Sequence, residues 1–175
     1  MSKILVVLLI LFLLPLTACK GKKITKDYPS LQDTKNIIEY VTIDEVLNNL
    51  EKLDKKIIVF GFKKCPWCQS SIRPLNDVAV ELGFKSVWYL DIKNMRDNED
   101  DVNHKKYLQL FNLIKDNIGN PEKIIAPTVI MVKNNKITGY HTGTVESHVL
   151  EDGNLPVMTK EQTNELKEIY YQLFE

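Results

Sequence analysis

Apolar and polar residues are arranged along the chain in segments that predict alternating strands and helices. Short apolar, β-branched runs predict five strands, at residues 37–41, 56–62, 86–92, 128–132 and 136–140. Apolar residues that recur every three or four positions predict helices beginning near residues 43, 66, 104 and 160. The run at 56–62 is too apolar for one exposed face, which predicts a central strand buried on both sides. The order β-α-β-α-β-α-β-β-α therefore predicts an α/β fold in which helices cover both faces of a mixed sheet.

The start of the chain has a different pattern, which predicts a targeting segment. Eleven consecutive apolar residues, Ile4 to Leu14, have the length of a signal-peptide core and are too short to span a bilayer comfortably. They are followed by Leu16-Thr17-Ala18-Cys19, which resembles the lipobox of bacterial lipoproteins. The resemblance implies cleavage before Cys19 and a diacylglyceryl group on its sulfur. An ordinary secreted or uncleaved N-terminus is the alternative.

This N-terminus predicts a protein outside the cytoplasm, held by its lipid at the outer face of the cell membrane. Two acyl chains on one cysteine are enough for stable anchoring. The stretch that follows, as far as Asn36, has few apolar residues, which predicts a tether. We therefore expect a lipoprotein signal peptide at 1–18, a lipidated Cys19 with a flexible tether at 19–36, and one folded domain at 37–175.

Composition and charge narrow the classes of function. Hydrophobic residues make up 44% of the chain, which is ordinary for a globular protein with a real core. The 23 Lys and Arg residues equal the 23 Asp and Glu residues in number, so no overall field favours a nucleic acid or a strongly charged substrate. The sequence contains no phosphate loop, dinucleotide fingerprint or Ser-His-Asp set, and we predict no cofactor.

The candidate reactive site is Cys65-Pro66-Trp67-Cys68, which lies between the central strand and the next helix. With Cys19 lipidated, Cys65 and Cys68 are the remaining pair, and such a close pair outside the cytosol indicates redox chemistry. A helix N-terminus favours negative charge, so it stabilises the reactive thiolate. Helical spacing places Cys68 on the core-facing stripe and Cys65 before it. This predicts an exposed attacking sulfur and a sheltered resolving sulfur.

Together with Ala126-Pro127-Thr128 before the fourth strand, these elements resemble the thioredoxin fold over residues 37–175. The resemblance implies a thiol–disulfide oxidoreductase that acts on protein or peptide thiols and disulfides, with Cys65 as nucleophile and Cys68 as resolving cysteine. It also implies a cis Pro127 that faces the sulfurs, and an Ala126 backbone that pairs with the substrate chain. The expected substrate-binding residues are Pro66, Trp67, Ala126 and Pro127. Packing against its own loop is the alternative for Trp67, and a trans turn is the alternative for Pro127.

Within this family, the lipobox and the stretch at residues 143–148 look like thioredoxin-like lipoproteins of Gram-positive bacteria. Some of those are called bacteriocin transport accessory proteins.

Two departures from the thioredoxin pattern bear on the direction of electron flow. Thioredoxins carry a buried Asp six residues before the first cysteine, where this chain has Val59, and their dipeptide is Gly-Pro where this chain has Pro66-Trp67. Direction and the redox partner are therefore not determined by the sequence.

A metal site and a non-catalytic scaffold are the two alternative roles for the cysteine pair and its surroundings. One Cys-x-x-Cys supplies two zinc ligands where a structural site usually has four, and His104, His141 and His148 lack the spacing to complete it. We therefore predict no metal site. The other role is a non-catalytic accessory protein for a transporter or a secreted peptide, because a fold alone does not prove activity.

Lys63 and Lys64 precede the first cysteine, where they could lower its pKa or simply be solvated.

Overall fold

The computed structural model describes residues 24–175. The predicted signal peptide at 1–18 and the predicted lipidation site at Cys19 lie outside the described residues. Among residues 24–175, no helix has both the length and the apolar character needed to cross a bilayer.

A five-stranded mixed sheet forms the centre of the molecule. Its strands are Ile38–Tyr40 (β1), Lys56–Gly61 (β2), Val87–Asp91 (β3), Thr128–Lys133 (β4) and Lys136–Thr142 (β5). They lie in the order β1-β3-β2-β4-β5. The strands β1, β3 and β2 are parallel, β4 is antiparallel to β2, and β5 is antiparallel to β4. The strand β2 is therefore central, as its continuous apolar run predicts.

Helices cover both faces of this sheet. They are Ile43–Asn49 (α1), Pro66–Glu81 (α2), Lys93–Asp97 (α3), His104–Ile114 (α4) and Lys160–Phe174 (α5), with 3-10 turns at Ile24–Lys26, Pro29–Leu31, Leu50–Lys52 and Lys115–Asn117. Helices α2 and α5 pack against each other, as do α1 and α4. Along β2, Ile57 and Val59 enter the core that contains α2 and α5, whereas Ile58 and Phe60 enter the core that contains α1 and α4. The predicted α/β architecture, a mixed sheet covered by helices on both faces, is confirmed.

Local sequence determines several of the helix ends and turns. Thr42 and Thr159 form capping boxes at the starts of α1 and α5, where each side chain accepts a backbone N–H and satisfies one free donor. Gly83 has a φ of 75° just after α2, a left-handed conformation in which glycine is unstrained. Asn134 and Asn135 have φ values of 47° and 64°, as a tight hairpin turn between β4 and β5 requires.

The structure corrects the predicted tether over residues 24–36. Ile24, Tyr28 and Leu31 are 1%, 0% and 0% exposed and belong to the core beneath α2. Two hydrogen bonds from α2 hold this stretch: Arg73 Nη1 donates to the Ser30 carbonyl at 2.7 Å, and Gln69 Nε2 donates to the Asp27 carbonyl at 3.0 Å. Residues 24–33, called here the N-terminal segment, are therefore part of the folded unit. The apolar residues are too widely spaced in a polar stretch for a periodic pattern to show this packing.

Residues 93–102 are polar, and their composition predicts a loop. Residues 93–97 instead form the short helix α3. It contains no buried residue, so no apolar stripe marks it in the sequence. Its charged side chains are paired within the turn, since Asp97 accepts from both Lys93 and Arg96. The consequence is that α3 places an arginine near the cysteine pair.

Candidate active site

The sulfur of Cys65 lies at the N-terminus of α2. Cys65 is the N-cap residue of this helix, with extended backbone angles, and its Sγ accepts a hydrogen bond from the Cys68 N–H at 3.3 Å. Pro66 follows at the first helical position, where a missing N–H costs nothing. The Cys65 thiol also donates to the Ala126 carbonyl oxygen at 3.4 Å. This sulfur therefore lies at the start of a helix, as the sequence predicts.

Both cysteines are buried thiols, which corrects part of the sequence expectation. Cys68 is 1% exposed, as its place on the core-facing stripe predicts, but Cys65 is only 3% exposed. Phe62, Trp67 and Ala126 are partly buried against the same core. Helical spacing indicates which sulfur faces the core, but it contains no information about the loops that approach the other sulfur from outside the helix.

The two thiols have strongly different acidities. A hydrogen bond from the Cys68 thiol, which outweighs the opposing effect of burial, lowers the pKa of Cys65 to about 7. The backbone N–H groups of Cys68 and Trp67 and the charge of Arg96 lower it further. Burial raises the pKa of Cys68 well above its ordinary range, and the neighbouring Cys65 reinforces this. Near neutral pH the pair therefore holds one ionisable nucleophile and one protonated partner.

Arg96 places a positive charge beside Cys65. Its guanidinium lies over the Phe62 ring at 5.5 Å and donates to the Ile124 carbonyl at 3.1 Å. Only 14% of its side chain is exposed. Lys63, one of the two lysines considered for this role, instead lies 3.6 Å from the Asp27 carboxylate. No local pattern indicates Arg96, because it is carried by the short polar helix α3.

The four predicted substrate-binding residues surround Cys65 unequally. Pro66 is exposed, Trp67 and Ala126 are half-buried, and Pro127 is buried. The Ala126–Pro127 peptide bond is cis, as predicted. Trp67 packs partly against the core, so this residue is neither fully exposed nor fully enclosed.

A tyrosine hydroxyl lies on the inner side of Cys68. Tyr89 projects from β3, where it pairs in register with Val59 of β2. Its hydroxyl is hydrogen-bonded to the hydroxyl of Tyr28 from the N-terminal segment, and both tyrosines are 0% exposed. A Cβ atom at Gly61 would overlap the Tyr89 hydroxyl and would lie 3.0 Å from Cys68 Sγ. The hydroxyl and the sulfur therefore border the same small space.

The three histidines considered as zinc ligands make other contacts. His141 and His148 donate to the carbonyls of Thr144 and Pro156 at 2.9 and 2.8 Å. His104 donates to the Met95 carbonyl at 2.8 Å. Within residues 24–175, no three His, Cys, Asp or Glu side chains are grouped so that they could hold a metal ion.

Comparison with known proteins gives matches among solved structures only. No protein-family model matches the chain, and no curated protein matches it. Thioredoxin O1 from Arabidopsis thaliana in its oxidised state is 16% identical, with 80% of this chain and 100% of that chain covered and a TM-score of 0.47. A putative oxidoreductase with a thioredoxin fold is 13% identical over 61% of this chain and 83% of that chain, with a TM-score of 0.43. Thioredoxin f2 from Chlamydomonas reinhardtii is 16% identical over 59% and 82%, with a TM-score of 0.42. Similarity at this level assigns no role to any residue, so the roles proposed for Cys65 and Cys68 depend on their geometry.

Proposed function

We propose that this protein is an extracytoplasmic thiol–disulfide oxidoreductase that exchanges disulfides with exported proteins or peptides through Cys65 and Cys68. One observation carries the proposal: the Cys65 sulfur is held at the N-terminus of α2 by the Cys68 N–H, and its pKa is lowered to about 7. About half of such a thiol is ionised at neutral pH, whereas an unperturbed cysteine is only a few per cent ionised. Cys65 is therefore suited to attack a disulfide, and Cys68 stays protonated until it is needed.

The exchange proceeds in two balanced steps. The Cys65 thiolate attacks one sulfur of a substrate disulfide, which forms a mixed disulfide and expels the other substrate sulfur as a thiolate. Cys68 then gives up its proton and attacks Cys65 Sγ, which forms the Cys65–Cys68 disulfide and releases the second substrate sulfur as a thiol. The protein is oxidised and the substrate is reduced. In the reverse direction, the Cys65–Cys68 disulfide oxidises a substrate dithiol. A separate redox partner resets the pair in both cases.

The surroundings of Cys65 favour a polypeptide substrate. Trp67 and Ala126 are half-buried and Pro66 is exposed, whereas Cys65 itself is 3% exposed. A substrate therefore meets apolar surface and the Ala126 backbone before its sulfur reaches the nucleophile. An extended chain that pairs with the Ala126 backbone would gain main-chain hydrogen bonds without regard to its sequence.

The proposed location is the outer face of the cell membrane, with the lipid on Cys19. The packing of the N-terminal segment limits how far the domain reaches. From Cys19 to Ile24 the chain spans about 18 Å at full extension, so the redox site would work close to the membrane surface. If the lipid is present, the full-length protein partitions into the detergent phase, and Cys19→Ala moves it into the aqueous phase. Equal partitioning of both proteins would refute the anchor.

The decisive experiment for the exchange reaction is trapping with Cys68→Ser, which stops the reaction at the mixed disulfide. We expect the full-length variant, produced in cells, to accumulate disulfide-linked partners that disappear on reduction. Cys65→Ser is the matched control and should trap none. Equilibration of the purified protein with glutathione redox buffers then measures the potential of the pair and so gives the direction of electron flow.

The burial of Cys65 favours one rival, a non-catalytic accessory protein on the same fold. A sulfur that is 3% exposed is not directly available to a bulky partner. If this rival is correct, Cys68→Ser traps nothing, and the double variant Cys65→Ser, Cys68→Ser supports the secretion or transport process as well as the native protein does. If the oxidoreductase proposal is correct, the double variant loses its function.

A further inference from the structure

The environment of Cys68 contains a hydrogen-bond donor that the thioredoxin-like sequence pattern does not indicate. The position six residues before the first cysteine is occupied by Val59, which is 1% exposed and carries no proton. The side chain of Tyr89 comes from the neighbouring strand, in register with Val59, and belongs to the same core as Cys68. The Tyr89 hydroxyl is therefore the counterpart in this chain of the buried aspartate carboxyl that thioredoxins have at this position. It reaches the inner side of Cys68 from β3 instead of β2.

Gly61 is what allows the Tyr89 hydroxyl to come this close. It is the last residue of β2, and any larger residue here would place a Cβ on the hydroxyl and 3.0 Å from Cys68 Sγ. The absence of that carbon leaves the hydroxyl and the sulfur facing each other beside the Gly61 Cα.

The count of hydroxyl hydrogens indicates where Tyr89 directs its own. The Tyr28 and Tyr89 hydroxyls bond to each other, which uses one of their two hydrogens. Neither hydroxyl has another nitrogen or oxygen partner in the described part of the chain. When Tyr28 donates to Tyr89, the Tyr89 hydrogen is free, and the Cys68 sulfur is the acceptor beside it. A buried hydroxyl hydrogen without an acceptor would cost free energy, so this arrangement is favoured.

We propose that Tyr89 is a positioning residue for the second step of the exchange: its hydroxyl donates to the Cys68 sulfur and stabilises the thiolate that attacks the Cys65 mixed disulfide. The inference rests on the proposed function and deepens it. Overall, the Cys68 proton passes to the departing substrate sulfur, a bond forms between the Cys65 and Cys68 sulfurs, and the bond between Cys65 and the substrate breaks. Tyr89 keeps its proton throughout. Its assistance applies in the mixed disulfide, where Cys65 is uncharged and Cys68 is the sulfur that must ionise.

The acidities of Cys68 and Tyr89 agree with a role for Tyr89 as a hydrogen-bond donor to the Cys68 sulfur. Burial raises the pKa of Cys68 well above its ordinary range, and the hydrogen bond from Tyr89 opposes that rise. Burial also raises the pKa of Tyr89 far above its ordinary value, so the hydroxyl remains a neutral donor at every physiological pH. Tyr28, contributed by the N-terminal segment, orients this donor.

The test separates the two steps by their kinetics. The reduced full-length protein is mixed with the chromogenic disulfide dithiobisnitrobenzoate, which releases one coloured thiolate when Cys65 attacks and a second when Cys68 resolves the mixed disulfide. We expect Tyr89→Phe to slow the second phase on the order of tenfold, which corresponds to about 1.4 kcal/mol. The first phase should change by less than twofold, because no hydrogen bond to Cys65 is lost. The pH at which the second phase is half-maximal should rise by about one unit.

Tyr40→Phe is the matched control. The Tyr40 ring packs edge-on against Tyr89 at 5.4 Å, but its hydroxyl donates to Asp27 and not to the cysteine pair. This variant should resolve the mixed disulfide at the native rate and with the native pH profile. The inference is wrong if Tyr89→Phe shows both phases and an unchanged pH profile for the second, or if Tyr40→Phe shifts that profile equally. If the native protein shows no second phase at all, the proposed function itself fails.

Discussion

The lowered pKa of Cys65 gives the sharpest quantitative prediction, because one hydrogen bond is its main cause. Cys68→Ala removes the thiol that donates to Cys65, whereas Cys68→Ser keeps a donor of similar size. At pH 7, a thiol with a pKa of about 7 is half ionised. A hydrogen bond to a charged acceptor contributes roughly 1.5 kcal/mol or more, and about 1.4 kcal/mol corresponds to one pKa unit. A rise of about one unit leaves roughly a tenth of the thiol ionised at neutral pH.

The assay is the rate of alkylation of Cys65 by iodoacetamide as a function of pH, with the modified residue identified by peptide mass spectrometry. We expect Cys68→Ala to react roughly fivefold more slowly than the native protein at pH 7, and to reach the same rate at high pH. Cys68→Ser should lie between the two. Superimposable pH profiles for Cys68→Ala and Cys68→Ser would refute the assignment of the shift to this hydrogen bond. A slower rate at every pH would instead indicate reduced access to the sulfur.

Three further predictions test other contacts. Leu31→Ala should lower the free energy of unfolding by about 2–5 kcal/mol in urea titrations because it opens a cavity in the core. Exposed Gln32→Ala should change the free energy of unfolding by less than about 0.5 kcal/mol. Equal effects of the two substitutions would show that this stretch is an unpacked tether. In the same alkylation assay, Arg96→Ala should raise the pKa of Cys65, but by less than Cys68→Ala does. Lys63→Ala should leave the pKa of Cys65 unchanged. A larger shift with Lys63→Ala than with Arg96→Ala would show that the lysine, and not the arginine, is the charge that acts on Cys65. The pKa of Cys65 is lower in the folded chain than its ordinary value of 9.0, so its thiolate stabilises the reduced fold fully above pH 9.0, and this contribution is lost as the pH falls through about 7. Urea unfolding of the reduced protein across this range should show the trend and Cys65→Ser should lack it; the same slope in both would contradict the reasoning.

The local sequence determined the order of the elements and the starting point of the chemistry. A continuous apolar run and a period of three to four residues are local properties, so β2, α2 and α5 are recognisable without any partner. Capping boxes at Thr42 and Thr159 are likewise complete within four residues. The position of Cys65 at a helix N-terminus needs only the strand, the proline and the helix around it. These features were therefore predictable, as was the mixed sheet that their order implies.

Only the tertiary structure decided what surrounds the two sulfurs. The Tyr28–Tyr89 hydroxyl pair and the contact between Cys65 and Ala126 each join residues 61 positions apart. Arg96 comes from a helix without an apolar stripe, and the N-terminal segment packs on α2 through a few scattered residues. The acidity of a thiol depends on the charges, donors and burial within a few ångströms, and those neighbours are assembled only when distant segments fold together. The sequence by itself therefore determined which atoms can react, and the folded chain determined how acidic and how accessible each of them is.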